Sequence, residues 1–153
     1  MQKTHEDVFL SVLLWIQTCL FSFSASYKAN RTEAALLAGC GMDAPIETLL
    51  KALTVENVII TGVHRGEEIG YCARLNGQYM EIFKPCLPQT LHGTGDVFVS
   101  ALCGELMNGK GMPQALKDAA EFCDDCVQKT AKRGESHWYG LAFEDKLKEG
   151  RGL

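Results

Sequence analysis

Asn57-Val58-Ile59-Ile60-Thr61-Gly62 is a β-branched run closed by a glycine. Its apolar residues are consecutive rather than alternating, which suits a strand covered on both faces, the habit of parallel sheets. Working outward, the flanks supply helices. Pro45 opens a predicted helix through Leu53, proline being tolerated at a first helical position. Before it, Thr32 to Ala38 reads as a short helix stopped by Gly39 and Gly41, and Phe21 to Ala29 as a strand ending near Asn30. Downstream, Ile69 to Leu75 and Gln78 to Phe83 flank Asn76-Gly77, the strongest short hairpin signal. A loop with Pro85 and Pro88 follows. Gly93-Thr94-Gly95-Asp96 then leads into a helix to about Met107, apolar on most sides and so expected to be deeply buried. Pro113 opens the clearest helix. Met112, Ala115, Leu116, Ala119, Ala120, Cys123, Cys126, Val127, Thr130 and Ala131 form one stripe, and Lys117, Asp118, Glu121, Asp124, Asp125 and Lys129 take the far side. A last helical piece is expected from about Leu141 to Lys148. This order predicts an α/β fold with a mainly parallel sheet and helices on both its faces.

The 153 residues suffice for one domain with a real core, and 46% hydrophobic with 22% charged residues is ordinary for a soluble globular chain. A net charge of −4 gives no support to nucleic-acid binding. Seven irregularly spaced cysteines argue against a disulfide framework and for a reducing cytoplasm. From Phe9 to Phe23 the chain is almost wholly apolar, yet shorter than the roughly 20 residues a membrane-spanning helix needs. Glu6 and Asp7 cancel the positive start a secretory signal wants. The preferred reading is a buried helix and strand, with residues 1–26 as an apolar segment, 27–153 as the body of the domain and no membrane partner.

Three features can carry chemistry. The first is His92-Gly93-Thr94-Gly95-Asp96. Two glycines allow close backbone approach, and the unpaired N–H groups of a helix start, with its dipole, suit a phosphate. An aspartate in that first turn is a weak base, but phosphoryl transfer through a loose transition state asks little of its base until late. Asp96 can therefore orient a hydroxyl and take its proton. The same residues also make a good turn and helix start. The second is Asn30-Arg31-Thr32-Glu33, whose amide and carboxylate fall on one side of a helical turn. They can hold the water shell of a magnesium ion, or form a capping box. The third is Thr61-Gly62 at a strand's carboxyl end, where open α/β sheets bind ligands, or simply a strand-to-turn junction. Cys123-Asp124-Asp125-Cys126 has metal spacing but no second pair, so both cysteines read as buried thiols. His64 and His137 read as surface or packing residues, His92 as a stabiliser of its turn, and Trp138-Tyr139 as packing for the last helix.

In this order, Asn-x-x-Glu, Ile-Thr-Gly and His-Gly-Thr-Gly-Asp, the three motifs resemble the ribokinase-like superfamily over about Ala29 to Glu144. Gly-Thr-Gly-Asp with a preceding His looks most like the pyridoxal and pyridoxamine kinase branch. Sugar kinases of the superfamily more often have Gly-Ala-Gly-Asp, and hydroxymethylpyrimidine kinases typically have Cys where this chain has Asp96. The resemblance implies a three-layer α/β/α fold with a C-terminal β-hairpin and helices, and ATP-dependent phosphorylation of the hydroxymethyl group of pyridoxal or a relative. It implies Asp96 as catalytic base and Gly93, Thr94 and Gly95 as the anion hole. Asn30 and Glu33 would organise magnesium and phosphate, with the metal held through water, and Thr61 and Gly62 would lie at the nucleotide. The segment from Phe83 to Leu91 would cover the nucleotide, and the full-length family is homodimeric. No vitamin-binding half is visible before Asn30. The chain is therefore expected to be a C-terminal part, unable alone to phosphorylate pyridoxal at a useful rate. A sugar or hydroxymethylpyrimidine kinase, or a silent nucleotide-binding remnant, are the rival expectations.

Overall fold

The computed structural model describes residues 26–87, 91–133 and 140–149. The apolar segment 1–25, Pro88, His137 and Trp138-Tyr139 lie outside the described residues. Strand β1 (Ser26–Asn30) leads directly into α1 (Arg31–Ala38), followed by α2 (Ile46–Ala52) and β2 (Asn57–Arg65). Next come β3 (Glu68–Leu75), β4 (Gln78–Pro85), α3 (Thr94–Met107), α4 (Met112–Arg133) and α5 (Glu144–Glu149). The sheet order is β1-β2-β3-β4. β1 and β2 are parallel, in register from Ser26↔Asn57 to Asn30↔Thr61, with α1 and α2 in the crossover. β2, β3 and β4 are joined by the two-residue turns Gly66-Glu67 and Asn76-Gly77, connections that only antiparallel strands can use, so one of the three neighbour pairs among the described strands is parallel where a mainly parallel sheet was expected. Asn76 and Gly77 have φ 49° and 81°, the left-handed pair that matches the twist of a hairpin.

Several boundaries differ from the sequence expectation: α5 begins at Glu144 rather than near Leu141, and β4 runs on through Pro85, which was expected in a loop. β2 does not end at Gly62 but continues to Arg65. Gly62 adopts φ +68°, which lets the strand change course there without ending. Pro45 is the residue before α2 rather than its first residue, because its ψ of 143° is extended.

The residues group into two compact units. The first holds everything described up to Val63 together with Gly70–Glu81. Its core is Ala29, Val58, Ile59 and Ile60 from the parallel pair, Ala34 and Ala35 of α1, Leu49 and Leu50 of α2, and Cys72, Ala73 and Leu75 of β3. Arg74 ties α2 down in a way no local pattern foretold. Its Nε donates to the Leu50 carbonyl at 2.9 Å and its Nη2 to those of Leu53 (2.5 Å) and Val55 (2.9 Å). A cation there satisfies carbonyls left open at a helix C-terminus and meets the negative end of its dipole. Arg74→Ala is expected to lower stability by about 2 kcal/mol, as loss of charge-assisted hydrogen bonds does, read from the midpoint of urea unfolding.

The second unit holds His64–Ile69 and the residues from Ile82 on. Here α3 packs on α4. Eight of the ten expected stripe residues of α4 are buried, Met112, Ala115, Leu116, Ala119, Ala120, Cys123, Cys126 and Thr130, while Val127 and Ala131 are half-buried. The deep burial expected of α3 is not found. Only Phe98 and Leu102 are buried, one turn apart, and Met107 is 88% exposed. An apolar composition spread around a helix does not bury it; only the i, i+4 pair in line with its neighbour is covered. Lys110, between the helices, pairs with Glu105 at 2.5 Å and Asp118 at 2.6 Å. The six cysteines among the described residues are free thiols, and no described helix is long and apolar enough to cross a membrane.

Candidate functional site

In the first unit the sheet delivers Asn30 and Thr61 side by side as register partners, where β1 ends and β2 bends at Gly62. Thr61 is buried and Gly62 exposed. Asn30 caps α1. Its Oδ1 accepts from the Glu33 amide at 2.9 Å, and Glu33 Oε2 accepts from the Asn30 amide at 2.9 Å. This is the capping box, one of the two readings the spacing allowed. It leaves Glu33 Oε1 and Asn30 Nδ2 without hydrogen-bond partners among the described residues. No group of three or more His, Cys, Asp or Glu side chains able to hold a metal ion occurs among the described residues. A single spare carboxylate oxygen nevertheless fits a magnesium ion that keeps most of its waters and takes other ligands from phosphates.

Tyr27, next to this corner, has a sealed hydroxyl with no hydrogen-bond partner among the described residues. Burial, and then the charge of Glu33, push its pKa from the ordinary 10.0 up to about 12. The neutral phenol is thus favoured in the folded state. The stability this contributes is complete below pH 10 and is lost as pH rises from 10 towards 12. Tyr27→Phe is expected to cost little at pH 7, since the hydroxyl makes no bond. Its unfolding midpoint is expected to fall less than the parent's between pH 10 and 12, as followed by circular dichroism.

In the second unit Gly93 is the residue before α3, with φ +85°, and no side chain caps the helix. The Val97 amide donates to the Gly93 carbonyl at 3.0 Å and starts the helical ladder. The amides of Thr94, Gly95 and Asp96 precede that bond and have no intrahelical acceptor. Asp96, in this first turn, is exposed, as is His92. The helix start is held from behind. Cys123 Sγ donates to the Thr94 carbonyl at 3.5 Å, from the buried stripe of α4. This tie was not legible in the sequence, because nothing local pairs positions 29 residues apart. Thr130, fully buried, donates to the Cys126 carbonyl at 2.6 Å and accepts from the Ala142 amide at 2.9 Å. That bond secures the segment on which Gly140, at φ +112°, sits beside the His92 carbonyl. The Cys123/Cys126 pair is buried, as expected of packing thiols, and burial raises the Cys126 pKa.

The expected residues therefore form two local groups. Asn30, Glu33, Thr61 and Gly62 stand together in the first unit, and Gly93 to Asp96 in the second. A model of the phosphomethylpyrimidine kinase family matches residues 13–140. The chain belongs to that family. Among solved structures it is similar to the pyridoxal kinase of Lactobacillus plantarum (27% identity, TM-score 0.72), over 82% of this chain and 48% of that one. It is also similar to a putative phosphomethylpyrimidine kinase of Bacteroides thetaiotaomicron (24%, TM-score 0.78), over 96% and 54%. A third is the Staphylococcus aureus pyridoxal kinase in complex with ADP (25%, TM-score 0.61), over 68% and 41%. No curated protein matches. The fold is the ribokinase-like α/β fold that the motifs implied, and the chain spans about half the length of the structures it matches.

Proposed function

We propose that this phosphomethylpyrimidine kinase family chain binds ATP with magnesium and serves transfer of the γ-phosphate to the hydroxymethyl group of pyridoxal or a close relative. The observation that carries the reading is the uncapped start of α3. Three backbone N–H groups and a helix dipole are left for an anion, with a carboxylate in the same turn. A transferring phosphoryl group spreads charge over its outer oxygens, and preorganised donors of this kind stabilise it. Gly93 is what leaves them free. Its left-handed backbone turns the chain into the helix without a side chain in the way, and space around it is open.

Asp96 then orients the acceptor hydroxyl and receives its proton as the bond to phosphorus forms. Glu33, through Oε1 and water, and Asn30 would hold the magnesium ion, which screens phosphate charge when bound. Thr61 offers its hydroxyl, and Gly62 an unobstructed backbone, to the nucleotide. Pyridoxal is preferred as acceptor because a pyridoxal kinase is among the similar solved structures, at 27% identity over 82% of this chain. The family's own description supports a second reading, phosphorylation of a pyrimidine alcohol or its phosphate. Cytoplasmic location and a homodimeric full-length form go with either.

The test is radiolabelled γ-phosphate transfer by the purified protein, offered pyridoxal, hydroxymethylpyrimidine and ribose in parallel with magnesium-ATP. The reading expects pyridoxal to have the highest kcat/KM, however low the absolute rate. Transfer to the pyrimidine in preference would establish the second reading. A protein that neither binds nor cleaves ATP would remove both.

A further inference from the structure

Cys123 lies in the buried stripe of α4, and its Sγ donates to the Thr94 carbonyl at 3.5 Å. Both residues belong to the second unit. Thr94 opens α3, and its carbonyl sits in the same peptide as the Gly95 N–H. A trans peptide is a rigid plane whose C=O and N–H point in opposite directions. Whatever holds the oxygen therefore aims the N–H. The helical ladder uses one lone pair of this carbonyl, for the amide four residues on, and a carbonyl has two. The thiol takes the other. Among the described residues, no other group from outside α3 forms a hydrogen bond with residues 93–96. Glycines on either side of Thr94 leave the backbone there unusually free, so a hold from behind has something to restrain. The Gly95 amide, which the ladder leaves without an acceptor, is one of the three donors assigned above to phosphate.

We propose that Cys123 is a positioning residue for phosphoryl transfer: its thiol fixes the Thr94–Gly95 peptide so that the Gly95 N–H stays aimed at an oxygen of the transferring phosphoryl group. This rests on the nucleotide reading above and adds to that site a residue of α4 that none of the three motifs contains. Donors held in place stabilise developing charge because they need not reorient as it forms. With the thiol gone the peptide is free to tilt, and the loss falls more on rate than on nucleotide affinity.

The experiment compares the parent with Cys123→Ala, Cys123→Ser and Cys126→Ala. It reads single-turnover γ-phosphate transfer and the isotopically labelled Gly95 amide signal, the latter with and without a non-hydrolysable ATP analogue and magnesium. Cys126 is the control, a fully buried thiol of the same stripe with no hydrogen bond to the start of α3 among the described residues. Cys123→Ala is expected to lower transfer about 2- to 10-fold, the worth of one neutral hydrogen bond, with a smaller loss of analogue affinity. Its unliganded Gly95 signal should move, and its response to the analogue should shrink. Cys123→Ser keeps a donor and should stay near the parent in both readouts. Cys126→Ala removes the same volume and should keep the parent rate and Gly95 signal. Should Cys123→Ala not fold, Cys123→Val, which fills the place without a donor, carries the same comparison. A Cys126→Ala loss equal to that of Cys123→Ala would mark the effect as packing and overturn the proposal, as would a serine variant as slow as alanine. A parent and a Cys123→Ala variant with equal rates and equal Gly95 responses would overturn the proposal alone. A parent whose Gly95 amide ignores the analogue would remove the nucleotide reading, and the proposal with it.

Discussion

Asp96→Asn is expected to lower phosphoryl transfer by about 10²- to 10⁴-fold, the usual cost of removing a general base, with ATP affinity nearly unchanged. The substitution keeps size and polarity at an exposed position in the first turn of α3, so the helix has little reason to change. Asparagine still accepts a hydrogen bond and can still orient a hydroxyl, but it cannot take the proton. Because the Asp96 side chain does not cap the helix, the amides of Thr94, Gly95 and Asp96 remain as they were. The measurements are single-turnover γ-phosphate transfer and ATP titration on the same preparations. A variant as fast as its parent would take Asp96 out of the chemistry. A variant that lost ATP affinity in proportion to rate would make it a binding residue.

Gly93→Ala is expected to act on both stability and transfer, by separable amounts. At φ +85° an alanine costs about 1–2 kcal/mol of backbone strain. The added methyl meets nothing within 4 Å, so crowding adds nothing to this. The strain is relieved by moving the helix start, and that misplaces the donors. Losing one preorganised donor in comparable sites costs about 10²- to 10³-fold in rate. Urea unfolding and transfer rates read the two effects independently. Full activity with the stability loss would mean the N–H groups at this start do not face the transferring phosphate.

What the sequence made legible follows from how local each signal is. Asn76-Gly77 set its hairpin because both residues tolerate positive φ. The α4 stripe was readable because eight of its members are buried on one face. Asn30 and Glu33 were readable as a pair because a capping box is decided by four residues. Three features were not readable, each for a long-range reason. β2 runs past Gly62 because β3 pairs with it, although glycine after a β-branched run looks like an ending. The burial of α3 is set by α4, and a helix apolar on most sides carries no direction for the eye to follow. Arg74 looks like one more charged strand residue until the end of α2, some twenty residues earlier, is laid against it. For the candidate site, residue types and their order carried the family, since no single motif separates a phosphate cradle from a turn.

The most direct test of the central claim is the amide spectrum of the isotopically labelled protein, titrated with a non-hydrolysable ATP analogue and magnesium. The account predicts saturable shifts that are largest at the amides of Thr94, Gly95 and Asp96, whose donors have no intrahelical acceptor. AMP at the same concentrations should leave those three signals in place. Shifts of equal size with AMP, or saturable binding that leaves Thr94, Gly95 and Asp96 unmoved, would contradict it.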